Sequence, residues 1–405
     1  MTSRSSLTTR TNPARPGNLR GHNLGLALRC VASASGEISR AGISTSTGLN
    51  RSTASSLVDE LVSGGLVREL GATARAGMGR PPTVLALASD GPAGLGLDIN
   101  VDYVSACLVD LGGTVRYQHV VEQDQRGHTP QQVLTRLAES TLAAVAASGL
   151  TLFGTAVAVP GLINRASGTV AMAPNLGWHD LDLAEVLRQT FGEHVTLDNE
   201  ANYAALSEDE LLRSDQSFLY VNGQVGVGGG LVLNGEPYRG RHGWSGEIGH
   251  QTVDRDGPVC GCGQRGCLEQ YAGYEAILRA AGLGGGPGPG FGLRSTAGLI
   301  RDRADGGDQR TIDALTTVGA TLGVVLADCL NLLDLDRVVL GGIYRELSPW
   351  IVPEVEREVA ARFIGADWAR PAIGTAGHGA EAPALGAARS VVRDILNDPV
   401  PWLSR

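Results

Sequence analysis

The 405-residue chain, 42% apolar and 19% charged, has the composition of an ordinary globular protein with room for two or three domains. Its net charge is −9, yet residues 1–85 hold ten Arg against four acids (Glu37, Asp59, Glu60, Glu69), a net of +6, leaving −15 for the rest; nucleic acid is expected at one end only. All 33 basic residues are Arg, which excludes a lysine nucleophile or Schiff base, and no apolar run reaches the roughly 20 residues of a membrane helix, so a cytoplasmic protein is expected.

Residues 1–20, rich in Ser, Thr, Arg and Pro, read as a disordered arm. Leu24, Leu28 and Val31 then recur at helical spacing, and residues 21–88 read as a winged helix-turn-helix. Ser39 is placed to cap a second helix running to about Thr45, Thr47-Gly48-Leu49 makes the turn, and Asn50 caps a third. That third helix repeats Ala54, Leu57, Val58, Leu61 and Val62 along one face, and Gly64-Gly65 stops it. Its other face leads with Arg51, Ser52, Thr53 and Ser56. Short hydroxyl side chains and an Arg there suit a recognition helix in a major groove. Leu66–Leu70 and Thr83–Leu87 read as paired strands around a wing carrying Arg75 and Arg80. The expected DNA-contacting set is Ser39, Arg40, Asn50, Arg51, Ser52, Thr53, Ser56, Arg75 and Arg80. A solvated helix face is the bland alternative for any one of them.

From residue 89 the pattern turns to strands mixed with helices. Strands are expected at 94–99, 103–109, 115–121, 152–159, 194–197, 218–223 and 229–233, with helices at 129–147 and from 200. Ala281–Gly292 reads as a mobile Gly/Pro-rich loop, and the apolar stretch Leu315–Leu335, interrupted by Asp328, Asn331 and Asp334, as a buried core helix.

The most informative segment is Gly246–His250 followed by Cys260–Glu269. Three of the six cysteines fall within eight positions, with His250 upstream. One His and three Cys make a tetrahedral zinc set, and the glycines between them let the backbone wrap an ion. A disulfide or a chance cluster competes, but no secretory signal is present to favour disulfides. Glu247 and Glu269 flank the ligands. A metal would fix both carboxylates for hydrogen bonding to a polyol; otherwise they are surface glutamates.

The body resembles the repressor–ORF–kinase (ROK) family on Val159-Pro160-Gly161, Asn199-Glu200-Ala201-Asn202, Gly226–Gly230, the Glu247–Glu269 segment and Leu340-Gly341-Gly342. The resemblance implies a two-lobed α/β actin-like (ribonuclease H-like) sugar-kinase fold over residues 89–405. It implies structural Zn2+ on His250, Cys260, Cys262 and Cys267, and a sugar held by Gly161, Asn175, Asn199, Glu200, Glu247, His250 and Glu269. The winged helix in front resembles the family's regulator branch.

Two departures bear on catalysis. The kinases of this family open with an Asp-x-Gly-Gly-Thr phosphate hairpin, where this chain has Asp98-Ile99-Asn100-Val101-Asp102. Both glycines are gone, and Asp102 opposes a triphosphate. Glu200 replaces the kinases' Asp base and displaces the carboxylate by on the order of 1 Å; xylose-repressor-like members share Asn-Glu-Ala-Asn. The glycines at 226–230 read as structural, permitting a tight hairpin. The leading expectation is therefore a kinase-like fold without kinase activity: a sugar-responsive repressor, dimeric or tetrameric, on a palindromic operator. The alternatives are an ATP-dependent sugar kinase with an accessory DNA-binding head, or a regulator that senses a protein.

Overall fold

The computed structural model describes residues 16–34, 38–72, 83–192, 194–212, 216–284 and 293–405. They divide into two units, one running to Pro92 and including Arg393–Arg405, the other Ala93–Val392.

In the first unit α1 (Pro16–Ser33) begins inside the arm expected to be disordered. Proline is tolerated in a first helical turn because its missing N–H is unpaired there anyway, and Arg20 pairs with Glu60 of the third helix. Helix α2 (Arg40–Thr47) ends on left-handed Gly48, and α3 (Arg51–Ser63) follows. Leu24, Leu28, Val31, Ile43, Ala54, Leu57, Val58 and Leu61 are all buried, so most of the expected stripe forms the core, with Val62 half-buried at its edge. Each such Leu or Val contributes about 1.5–3 kcal/mol of transfer free energy. Strands β1 (Val67–Ala72) and β2 (Thr83–Leu87) pair antiparallel, Val67 opposite Leu87 and Glu69 opposite Leu85. Arg75 and Arg80, between them, lie outside the described residues.

The second unit has two lobes, each a sheet with its own core. In the first, β3 (Pro92–Ile99), β4 (Tyr103–Asp110) and β5 (Val115–Glu122) run antiparallel. Helix α4 (Pro130–Ser148) covers them, and β6 (Thr151–Val159) extends the sheet. A small antiparallel sheet of β7 (Leu162–Asn164), β8 (Thr169–Ala173) and β9 (Trp178–Asp182) leads into α5 (Leu183–Phe191). Strand β10 (Val195–Asn199) then pairs parallel with β6, giving the order β10-β6-β3-β4-β5. Leu95, Leu97, Leu108, Leu134, Val157 and Leu187 fill this core.

Helix α6 (Glu200–Leu212) leads to the second lobe. There β11 (Phe218–Gly223), β12 (Val227–Leu233) and β13 (Glu236–Tyr238) form a meander, closed by the Asn234-Gly235 turn. After the cysteine loop come α7 (Glu269–Ala272), α8 (Tyr274–Ala280), α9 (Leu293–Asp305) and α10 (Gln309–Leu333). Strand β14 (Arg337–Gly342) joins β11 in parallel, and α11 (Ile343–Glu346), α12 (Ser348–Arg362) and β15 (Ala372–Thr375) complete the order β13-β12-β11-β14-β15. Helix α10 is long and apolar enough to cross a membrane by composition, but Leu315, Leu322, Leu326 and Leu330 are fully buried in the second core, as expected of a core helix. Most of the loop expected at 281–292 lies outside the described residues.

Helix α13 (Ala382–Asn397) and α14 (Val400–Leu403) end the chain. Their last residues, assigned from sequence to the second domain, group instead with the first unit. Trp402 Nε1 donates to the Gly64 carbonyl at 2.8 Å, and Arg29 donates to Asn397 Oδ1 at 3.2 Å. A Cβ on Gly25 would stand 2.2 Å from the Asn397 carbonyl oxygen, so that approach requires glycine. The sequence shows two apolar residues at 402 and 403 but nothing that says which surface they cover.

Candidate functional site

His250 ends a short turn (Ile248–His250), and the bridges Thr252–Cys267 and Val259–Arg265 fold the following loop back on itself. Gly266, at φ 65°, lies so close to the Asp254 carbonyl that a Cβ would stand 1.5 Å away. That closure brings ligand atoms of His250, Cys260, Cys262 and Cys267 within 4.8 Å of one another. The Cys262 and Cys267 sulfurs are 3.7 Å apart, as are Cys260 Sγ and His250 Nδ1. A disulfide requires about 2.05 Å, whereas thiolates about 2.3 Å from one tetrahedral ion stand about 3.8 Å apart. The donor set and its spacing fit a tetrahedral metal ion.

The cluster borders a cavity of about 100 Å3 lined from both lobes. Gly161, Asn175, Asn199, Glu200, Glu247, His250 and Glu269 all line it, so the structure brings together the whole set named from sequence. Gly161 turns the chain at φ 107° and its carbonyl accepts from Asn199 Nδ2 at 3.1 Å. Asn199 Oδ1 accepts from the Ala201 amide at 2.8 Å, which starts α6 and aims Glu200 inward. Glu269 Oε1 accepts from Cys260 Sγ at 2.8 Å. His250 turns Nδ1 to the sulfurs and Nε2 to Glu247 Oε2, 3.9 Å away.

Carboxylates dominate the electrostatics. Burial pushes Glu200 well above the usual carboxylate range, with Asp98 and Glu247 adding repulsion. Burial, then Glu269, raises Glu247 to about 7. Glu200 Oε2 is buried and accepts no hydrogen bond from the described residues. An acceptor in that position suits a donating hydroxyl.

The turn at 98–102 is occupied by its own side chains. Asn100 Nδ2 donates to Gln224 Oε1 at 2.5 Å, Gln224 Nε2 donates to Tyr103 Oη at 3.0 Å, and Asn100 Oδ1 accepts from Val101 N at 2.7 Å. Asn222 and Gln224 separate the first cavity from a second of about 230 Å3, which Asp102, Glu122, Glu346 and Glu381 line with Arg345. That balance of charge repels phosphate. The glycines expected to permit a hairpin lie mostly within β12. A Cβ on Gly230 would meet the Ala201 carbonyl at 2.2 Å and one on Gly229 the Gly246 carbonyl at 2.6 Å, so Gly230 serves close packing against α6 and Gly229 against the segment before Glu247.

In the first unit, Ser39 caps α2 by accepting from Gly42 N, and Asn50 caps α3 by accepting from Thr53 N. Arg40 is bound to Ser55 O, Asp59 and Glu69. Arg51, Ser52 and Ser56 are exposed on α3, with Thr53 half-buried beside them.

The ROK family matches residues 94–394. The chain belongs to the ROK family. An IclR helix-turn-helix domain matches residues 26–71. The xylose repressor of Bacillus spizizenii is 32% identical over 369 residues, covering 89% of this chain and 92% of that protein. Among solved structures, a ROK family transcriptional regulator described as a homolog of the E. coli MLC protein has a TM-score of 0.79 over 96% of this chain and 100% of its own, at 24% identity, which shows a shared ROK fold. A Streptomyces griseus ROK glucokinase, solved with glucose and AMPPNP, has a TM-score of 0.62 at 27% identity, covering 74% of this chain and 98% of its own.

Sequence reasoning missed Asn100, Asn222 and Gln224 as cavity residues. Asn100 sat in a segment already singled out for its lost glycines. Gln224 carries no local signal, because its role comes from pairing between lobes.

Proposed function

We propose that this ROK protein is a sugar-responsive transcriptional repressor of carbohydrate-utilisation genes, cytoplasmic and without kinase activity. The observation that carries the reading is a helix-turn-helix with an exposed Arg/Ser face in the same chain as a cavity whose buried carboxylates suit a polyol. A monosaccharide bound between the lobes favours one arrangement of the body and shifts the population of DNA-competent molecules. The xylose repressor relative makes D-xylose the first sugar to test.

In this reading Asn199, Glu200, Glu247 and Glu269 accept hydrogen bonds from the sugar's hydroxyls, while Gly161 and Asn175 shape the loops over it. His250, Cys260, Cys262 and Cys267 hold Zn2+, which supplies a rigid tie for the loop carrying Glu247 and Glu269. Arg51, Ser52, Thr53 and Ser56 lead into the major groove, with Arg75 and Arg80 on the wing; Ser39 and Asn50 act as caps. A dimer on a palindromic operator matches two such heads. The filled Asn100–Gln224 turn and the acidic second cavity support the absence of phosphoryl transfer.

Isothermal titration of the zinc-loaded chain with D-xylose, D-glucose and N-acetylglucosamine tests the sugar reading. Saturable binding of one sugar without ATP is expected. Binding of none overturns it.

A further inference from the structure

Asp198 is not among the cavity-lining residues, yet its carboxylate joins three segments that are. It sits at the end of β10, directly before Asn199 and Glu200, with its side chain 2% exposed. Oδ1 accepts from the Asn199 amide and from Asn202 Nδ2, both at 2.9 Å. Oδ2 accepts from Arg165 Nη1 at 3.0 Å and from Arg239 Nε at 2.5 Å. Arg165 lies between β7 and β8, in the first lobe. Arg239 follows β13 of the second lobe. The Asp198–Arg239 pair therefore crosses from one lobe to the other.

Arg239 also opens the segment that leads to the cavity residues Gly246, Glu247 and His250. Its carbonyl accepts from Ser245 N at 3.1 Å, and Ser245 Oγ donates to Tyr238 O at 2.5 Å. Three positive-φ glycines, Gly240, Gly243 and Gly246, lead from there to Glu247 and His250. A run of that kind has little stiffness of its own. Its position depends on what anchors its ends, and the anchor at 239 is the buried carboxylate of the opposite lobe. A buried carboxylate with four donors, two of them guanidinium groups, is fully compensated, so the cross-lobe pair is a directional joint.

We infer that Asp198 is a positioning residue whose pairing with Arg239 clasps the lobes and sets the separation of Asn199 and Glu200 from Glu247 and His250. The consequence for ligand affinity rests on the sugar-binding function proposed above; the clasp itself does not.

Arg165 is the internal control, because it meets the same oxygen without leaving the first lobe. The experiment compares R239Q, R165Q and D198N in the full-length, zinc-loaded protein. Hydrogen–deuterium exchange reads the clasp without any ligand. R239Q is expected to speed exchange across residues 240–250 several-fold with 162–173 unchanged, R165Q to do the reverse, and D198N to loosen both. Titration with D-xylose and D-glucose then reads the cavity: R239Q is expected to weaken binding by roughly tenfold or more and R165Q much less, because displacement of one wall of a site is costly. Unchanged exchange at 240–250 in R239Q overturns the clasp, as does equal loosening of that segment in R239Q and R165Q. Should the wild type bind neither sugar while exchange separates the variants as described, the clasp stands and the sugar reading falls.

Discussion

Asn100 Nδ2 donates to Gln224 Oε1 at 2.5 Å, so the β3–β4 turn of the first lobe is hydrogen-bonded to the β11–β12 turn of the second. Both side chains are buried. A backbone that must cradle phosphate needs its amides open to the ligand, and here Val101 N is already taken by Asn100 Oδ1. The expected outcome is no ATP turnover above background with D-xylose or D-glucose present, measured by a coupled ADP assay. Sugar-dependent ADP release contradicts it.

Glu200→Gln tests the buried acceptor. Substitution removes the carboxylate whose Oε2 has no hydrogen-bond partner among the described residues. A hydrogen bond to a neutral acceptor contributes about 0.5–1.5 kcal/mol, which corresponds to roughly 2- to 12-fold weaker sugar binding by calorimetry. Operator affinity without sugar is expected to stay at the wild-type level. Undiminished sugar affinity would remove Glu200 from the site.

Asp98 gives a pH signature. Burial holds its carboxyl at about 8 from an ordinary 3.8, with Asp102 adding repulsion and the Tyr103 hydrogen bond opposing. The folded state thus favours the protonated form. Its stability is full below about pH 4 and falls as pH rises towards 8, because ionisation is easier in the unfolded chain. Asp98→Asn abolishes that loss. Thermal melts from pH 5 to 9 are expected to show the variant gaining on wild type as pH rises; a constant offset contradicts the shift.

The arginines of the head separate by environment. Arg40 is locked to Asp59 and Glu69, whereas Arg51 is exposed at the leading end of α3. Arg51→Ala is expected to weaken operator binding by about 1–3 kcal/mol with little change in melting temperature. Arg40→Ala is expected to lower the melting temperature of the head. The opposite pattern would place the DNA surface elsewhere.

Cys262→Ser probes the coupling of metal and cavity. With three ligands left, zinc content by atomic absorption and sugar binding by calorimetry are expected to fall together, since Glu269 follows the ligand Cys267 by two residues and Glu247 precedes the ligand His250 by three. A zinc-free variant that binds sugar normally contradicts the coupling.

Local chemistry was legible in the sequence. The one-His, three-Cys spacing led to a cluster fitting a tetrahedral ion, and the apolar stripe of α3 and its Asn50 cap appear where periodicity places them. Interactions between distant segments were not legible. The pairing of Arg40 with Glu69, 29 residues on, has no signal in the sequence. Trp402 reads as a terminal aromatic until it meets Gly64. The small β7-β8-β9 sheet was missed because its strands are three to five residues long, too short for alternation to register.

A sugar-responsive repressor requires that sugar binding in the body change DNA binding by the head. Fluorescence anisotropy with DNA from upstream of the protein's own gene, at one fixed salt concentration, measures that coupling. Specific binding that one sugar, D-xylose first among the panel, releases is expected. Specific binding that no sugar alters, or no specific binding at all, would contradict it.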